Sequence, residues 1–253
     1  MSTRVLRQGD VYRYPSPASP RPEVIDGLPN FYARTSTEGQ KMARLERGIT
    51  RLAPVPDGAG GRRTPATLVR SSPWKAGTSA NPWHDTFDCA TATAAYHGDN
   101  KIDTKRLEPR HVDPSASQGN GYLLESFWAH ESDRPLERDR GGPVLVFTGV
   151  TVDGRHKGNV RFDGIGVVTG VSFLCQVDED SGLPFRNLLF ELTLLDLTPE
   201  EGVMDWRWVA ARRTGGDTAG LAPLSWSRWL REGRVSLDRH RARTWAVEPL
   251  SGS

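Results

Sequence analysis

The segment NPWHDTFDCATATAAYHGDNK, residues 81–101, gathers two aromatic rings, Trp83 and Tyr96, and three carboxylates, Asp85, Asp88 and Asp99, around one strand-like run. A polar-aromatic entrance, NPWHDTFD, precedes the strand, and the turn HGDNK follows it with Asn100 and Lys101. If the strand lies in a tightly curved sheet, entrance and exit come over one concave mouth, and Trp83 faces Tyr96 across a slot. Such a slot accepts one flat heterocycle, and stacking contributes about 1–3 kcal/mol per base. A carboxylate at its edge selects among bases, because cytosine presents an exocyclic amine donor where thymine presents a carbonyl. That edge is reachable only after the nucleotide has rotated out of a duplex, which costs a few kcal/mol that the pocket contacts must offset. The residues therefore form a candidate flipped-base pocket of Trp83, Asp85, Asp88, Tyr96, Asp99, Asn100 and Lys101.

A different chemistry is written in the same letters. Asp88, followed eleven residues later by Asp99-Asn100-Lys101, has the form D…D-x-K, in which two carboxylates and a lysine hold a divalent metal and orient a water. Read so, Asp88, Asp99 and Lys101 are the catalytic centre of a DNA-cleaving nuclease that requires Mg2+. The signature is short, and the helix-bearing context usual for such enzymes is not evident around it. The binding reading leads, with no catalytic residue, metal or cofactor assigned. His84 and His97 read as hydrogen-bonded surface groups. A third reading is an RNA or protein interaction domain of similar barrel shape.

A duplex binder needs cations that follow the phosphates. GRHKGNVR, residues 154–161, offers Arg155, Lys157 and Arg161 at a glycine-flanked hairpin tip, the preferred groove probe. Arg212 and Arg213 follow the Trp206/Trp208 pair, and the end of the chain is rich in arginine.

The elements that must position these residues are mostly strands. TLVRSS (67–72), FDCATATAAYHG (87–98), GPVLVFTGVTVDG (142–154), GNVRFDGIGVVTGVSFLCQVD (158–178) and RNLLFELTLLDL (186–197) are rich in β-branched and aromatic residues with turn signals between them. Gly164, Gly166 and Gly170 predict bulges or sharp bends, as curved sheets require. The spacing of Met42, Leu45 and Ile49 predicts a short helix over 38–50 with Lys41, Arg44 and Arg47 outward. Further helices are expected over 121–130 and over 225–232, the latter begun by a Ser cap after Pro223, with a loop over 212–222.

Bulk properties agree with a soluble globular chain. Its 253 residues with 36% hydrophobic content suffice for a core. A net charge of +2 places any affinity for polyanions in local clusters. Cys89 and Cys175 stand far apart with no metal-ligand spacing, and no run resembles a signal peptide or a membrane span, so a cytoplasmic location is expected. Several of the eight tryptophans sit in polar company and read as core-filling rings.

The order W-x-D-x-x-D followed by Y-x-G-D-N-K resembles the N-terminal domain of AspBHI-type modification-dependent restriction endonucleases. LLESFWAH, PVLVFTGVTVDGRHKGNVRFDGIGVV, FELTLLDL, MDWRWVAARR and SWSRWLREG are similar as well, so that the likeness covers most of residues 30–233. The resemblance implies an α+β fold with a curved barrel-like sheet of SRA/PUA type and flanking helices. It further implies that Trp83 and Tyr96 flank a flipped cytosine carrying a 5-methyl or 5-hydroxymethyl group, and that Asp85, or failing it Asp99, reads the amine. The partners implied are double-stranded DNA with modified cytosine and a nuclease effector domain, fused or separate, with homo-oligomerisation possible and no membrane. Expected organisation is an extended segment over 1–30, an SRA-like recognition domain over 31–233 and a basic tail or linker start over 234–253. On this reading the chain is the recognition part alone.

Overall fold

The computed structural model describes residues 4–15, 22–75, 84–88, 92–99, 102–103, 110–177, 182–195, 197, 202–216, 218 and 220–239. Its centre is an eight-stranded sheet built from β1 (Val11–Arg13), β2 (Ile49–Arg51), β3 (Thr67–Ser71), β4 (Thr86–Asp88), β5 (Thr93–His97), β6 (Val144–Gly149), β7 (Asn159–Val177) and β8 (Pro184–Leu195). The strand order is β2-β3-β6-β7-β8-β5-β4, and β1 pairs with the start of β7. All pairings are antiparallel except β3 with β6, which run parallel from Thr67↔Val144 to Ser71↔Thr148. A parallel pair cannot be joined by a tight turn, and the crossover here, residues 72–143, carries the whole β4–β5 hairpin and two helices.

Alternation along the strands explains why the sheet is covered on both faces. In β6, Leu145 and Phe147 point into one cluster with Phe31, Phe162, Trp206, Trp208, Trp226 and Trp229, whereas Val144 and Val146 point into a second with Tyr96, Leu123, Val168 and Phe190. Leu188, Phe190, Leu192 and Leu194 of β8 all face the second cluster, the two-residue period of a strand. The helices α1 (Phe31–Thr35), α2 (Gln118–His130), α3 (Pro135–Gly141), α4 (Trp206–Arg212) and α5 (Leu224–Glu232) supply the cover. Four tryptophans, 206, 208, 226 and 229, are at most 1% exposed and do the core-filling expected of them. Among the described residues no helix is long and apolar enough to cross a membrane.

The bends fall at two of the three expected glycines. The β6–β7 register shifts between Val146 and Phe147, opposite Gly164 with φ +129°, and the β7–β8 register shifts between Val168 and Gly170. Gly166 pairs regularly with Val144 and Leu194. The curvature brings the far strand back over the start: Tyr96 of β5 reaches the carbonyl of Arg70 in β3, with Oη 3.4 Å from the oxygen. Among the described residues no ladder joins β2 to β4, so the sheet is curved but open.

Several local expectations need correction. Residues 38–48 form no helix; burial alternates from Ala43 (buried) through Arg44 (exposed) to Leu45 (buried), and the segment runs extended into β2. FDCATATAAYHG is two strands rather than one, with Ala92 at φ +53° ahead of β5. α2 starts at Gln118 rather than Gly121. In α5 the N-cap is Pro223 without a side-chain cap bond, and Ser225 lies buried inside the first turn. The loop expected over 212–222 loses its first residue to α4. Separately from the central sheet, Val5–Arg7 pairs with Val203–Asp205.

Candidate nucleic-acid interface

Strand alternation in β5 sends Ala94 and Tyr96 inward and His97 towards the surface. The Tyr96 ring is 5% exposed, within the second core cluster. Burial, and then the nearby Asp85 and Asp99 charges, push its phenol well above the ordinary value of 10, so the hydroxyl stays protonated and donates to Arg70 O. Asp85 sits just before β4 and ties that entrance to the end of β5. Its Oδ1 accepts the His97 N–H at 2.8 Å and lies 3.3 Å from His97 Nδ1. One carboxylate oxygen is thereby anchored, which orients the other; an ionised carboxylate accepts at both.

The exit of β5 is held by the start of α2. Asn120 accepts the Asp99 N–H on Oδ1 at 2.6 Å and donates Nδ2–H to Asp99 O at 3.1 Å and to Pro114 O at 2.8 Å. Ser117, the N-cap of α2, makes no capping bond and instead donates its hydroxyl to Asp99 Oδ2 at 3.3 Å. Asp99 thus stands against the first turn of a thirteen-residue helix. The approach depends on absent side chains: a Cβ on Gly119 would lie 2.4 Å from Asp99 Oδ2, and one on Gly98 would lie 2.5 Å from Asn120 Oδ1. Across the mouth, a Cβ on Gly48 would lie 3.1 Å from Tyr96 Oη and 3.7 Å from Asp99 Oδ1. Gly48, whose carbonyl accepts the Arg70 N–H at 2.7 Å, therefore lets the phenol and the carboxylate come close to its backbone.

The basic hairpin tip rises from the same rim. Gly149 ends β6 beside Ser71, where its missing Cβ leaves room for the ring of Trp74. Trp74 stacks on His156 at 5.9 Å, and His156 Nδ1 lies 2.6 Å from Thr151 Oγ1. Asp153 (φ +48°) and Gly154 (φ +73°) make the tight two-residue turn between Val152 and Arg155, in the left-handed conformation that Asp-Gly favours. Arg155 is 68% exposed and meets Asp26 Oδ2 at 3.5 Å. Lys157 is exposed, and its carbonyl accepts from Arg13 Nη1 at 3.2 Å. Arg44 and Arg47, exposed on the strand-like approach to Gly48, add charge beside the recess.

The structure thus brings Tyr96 and Asp99 together, holds Asp85 on His97 near enough for its charge to act on the phenol, and sets Arg155 and Lys157 on the tip. Trp83, Asn100 and Lys101 lie outside the described residues; Asp88 ends β4, and its side chain also lies outside them. The D…D-x-K centre consequently falls outside what the structure describes, while among the described residues no three His, Cys, Asp or Glu side chains cluster as metal ligands do. Two arginines differ from expectation. Arg212 is wholly buried, ion-paired with Asp139 and donating to Pro65 O at 2.9 Å and Thr64 O at 3.0 Å, so it holds α3 to α4 and offers nothing to a phosphate. Arg213 is half-buried with one nitrogen on Lys41 O. Arg161 also departs from the expected tip: it lies within β7 between Val11 and Thr148, partly exposed and paired with Asp163 Oδ1 at 2.6 Å. Ser117, Asn120, Gly48 and Gly119 are site residues that the sequence reading missed; the run Ser117-Gln-Gly-Asn-Gly is the one local signal for them.

Comparison with known proteins follows this geometry. A family model described as restriction endonuclease AspBHI N-terminal matches residues 50–240. The MspJI restriction endonuclease, solved in complex with a 27-mer oligonucleotide, superposes with a TM-score of 0.82 at 34% identity, over 98% of this chain and 56% of that one. The DNA recognition domain of the cytosine modification-dependent restriction endonuclease LpnPI shares the fold, with a TM-score of 0.60 at 17% identity over 91% of this chain and 89% of that one. The DNA modification-dependent restriction endonuclease AspBHI gives 0.52 at 26% identity, over 77% of this chain and 84% of that one. No curated protein matches. The chain spans little more than half the length of the MspJI chain.

Proposed function

The chain belongs to the restriction endonuclease AspBHI N-terminal family, and from that membership we propose that it is a double-stranded DNA binding module that recognises 5-methyl- or 5-hydroxymethylcytosine by base flipping. In this reading it is the targeting part of a modification-dependent restriction endonuclease whose nuclease domain is fused to it or separate. The observation that supports the proposal is the meeting of the Tyr96 hydroxyl and Asp99 beside Gly48, with Asp85 close enough for its charge to act on the phenol, at the end of the sheet from which the tip bearing Arg155 and Lys157 rises. The tip follows the backbone and supplies sequence-independent affinity. Trp83 and Tyr96 take the extruded base, and a carboxylate accepts from its exocyclic amine. Asp85 is the first choice as reader because one of its oxygens is anchored by His97, leaving the other oriented; Asp99, anchored by Ser117, is the second. The Tyr96 ring is largely enclosed, so a base stacks on it only if the residues covering it give way.

Titration of duplexes differing only in one 5-methylcytosine or 5-hydroxymethylcytosine tests the proposal. Tighter binding of a modified duplex is expected, with Asp85→Ala removing the preference and Asp99→Ala doing so only if Asp99 is the reader. Equal affinity for modified and plain DNA refutes it.

A further inference from the structure

Two tight turns of the same kind are joined by an ion pair. Asp26 (φ +52°) and Gly27 (φ +76°) connect Val24–Ile25 to Leu28–Pro29, and Asp153 and Gly154 close the basic tip. Both are left-handed two-residue turns of the type that Asp-Gly and Asn-Gly favour. One oxygen links them: Asp26 Oδ2 lies 3.3 Å from Arg13 Nε and 3.5 Å from Arg155 Nη1. Arg13 is the fixed member of this trio. Its backbone pairs with Asn159 of β7 on one side and bridges to Asn30 on the other. Its side chain is 19% exposed and donates from Nη1 to Lys157 O at 3.2 Å. It fits there because Gly158 has no side chain; a Cβ would lie 1.8 Å from Nη1. Arg155 is the loose member, 68% exposed, and Asp26 between them is 53% exposed. The carboxylate is therefore anchored to the body through Arg13, while its contact with Arg155 is open to water.

We propose that Asp26 is a counter-charge that holds Arg155 back from the duplex and so sets the level of sequence-independent affinity. Carboxylate and phosphate oxygens are alternative acceptors for one guanidinium. A phosphate that takes Arg155 draws it from Asp26 Oδ2, and Arg13 keeps the carboxylate, whose charge then opposes the phosphate beside it. An exposed ion pair of this length is weak, so Asp26 tempers the contact rather than blocking it. The effect is the same for every duplex, because phosphates carry no sequence or modification information. A looser hold on the backbone shortens the stay on plain DNA and leaves discrimination to the base contacts. The inference rests on the reading of the tip as the backbone-contacting part of a DNA reader.

Asp26→Asn removes the charge and keeps the turn, since Asn takes the left-handed conformation as readily, and the melting temperature is expected to stay unchanged. Fluorescence anisotropy at about 50 mM salt is expected to show about three- to tenfold tighter binding of plain and modified duplexes alike, a gain that shrinks towards about 200 mM as salt screens the charge. In an Arg155→Ala background most of this gain is expected to vanish, because the carboxylate acts through the arginine. Binding no tighter than that of the parent, a gain confined to the modified duplex, or an undiminished gain without Arg155 overturns the proposal. Weaker binding with a lower melting temperature makes Asp26 a brace of the tip and overturns it as well. Equal affinity of the parent for plain and modified duplexes instead overturns the base-reading function, and the gain on plain DNA is scored regardless.

Discussion

The hairpin tip offers the most quantitative test of how the rim meets DNA. Replacing Arg155 and Lys157 together by Ala removes two exposed cations from a turn whose backbone is held independently, by the Val152–Arg155 bridge and by Trp74 stacked on His156. Among the described residues the ion pair lost is the loose one to Asp26 at 3.5 Å, of a kind that contributes about 0–1 kcal/mol. Stability is therefore expected to change little. Each neutralised phosphate contributes about 0.9 to the slope of log K against log salt, so the double variant is expected to flatten that slope by about 1.8. Over a rise from about 50 to about 200 mM salt, roughly 0.6 log units, this difference amounts to about tenfold in affinity. The assay is fluorescence anisotropy of a modified and a plain duplex across that range. Both duplexes are expected to lose the same slope, because phosphates carry no sequence or modification information. An unchanged slope, or a loss confined to the modified duplex, refutes the placement of the tip on the backbone.

Three other outcomes follow from the geometry. Gly119→Ala would ordinarily stabilise a helix, but its Cβ would meet Asp99 Oδ2 at 2.4 Å and Ile49 Cδ1 at 3.1 Å, so a loss of about 1–3 kcal/mol in denaturant unfolding and a weaker modification preference are expected; a rise in stability refutes the Ser117–Asp99 clamp. Arg212→Ala leaves Asp139 only its 3.9 Å pair with Arg63 and strands the Thr64 and Pro65 carbonyls, and is expected to cost about 3–5 kcal/mol in thermal or chemical unfolding while leaving the salt slope of the folded fraction intact. His130 is buried, accepts the Val168 N–H on Nδ1 and donates from Nε2 to Gly142 O, and burial lowers its pKa to about 4. A folded-state value below the unfolded one means that protonation favours unfolding. The stabilisation is complete above about pH 6.5 and falls by about 3 kcal/mol as the pH drops towards 4, a dependence that His130→Gln is expected to flatten in urea titrations at stepped pH.

What the amino-acid order discloses depends on how local its cause is. The strands are legible because Val, Ile and Leu alternate over many residues, as in β8, where every second side chain from Leu188 to Leu194 enters one core. The region 38–50 is ambiguous: Met42, Leu45 and Ile49 fit a helical stripe, while Ala43 and Leu45 fit a strand-like alternation. The bond between Gly48 O and Arg70 N, a contact between distant segments, decides for the latter. The recess is half legible for the same reason. Asp85, Tyr96 and Asp99 announce themselves within fifteen residues, whereas Ser117 and Asn120 look like ordinary residues at the start of a helix until folding sets them against Asp99. Arg212 misleads because a basic residue after two tryptophans reads as surface, and its partner, Asp139, lies 73 positions earlier.

The parallel pairing of β3 with β6 gathers most of the candidate site into one crossover. Everything that forms the mouth apart from the Gly48 approach and the basic tip lies in the crossover of residues 72–143, whose two ends are stapled side by side at Ser71↔Thr148 and Thr67↔Val144. Doubling the length of a closed loop adds only about 0.6 kcal/mol of closure entropy. Extra residues in the exposed connections of this crossover therefore cost little by closure alone, whereas β5 and α2, which carry Tyr96 and Leu123 into the second core, must be kept whatever is changed around them.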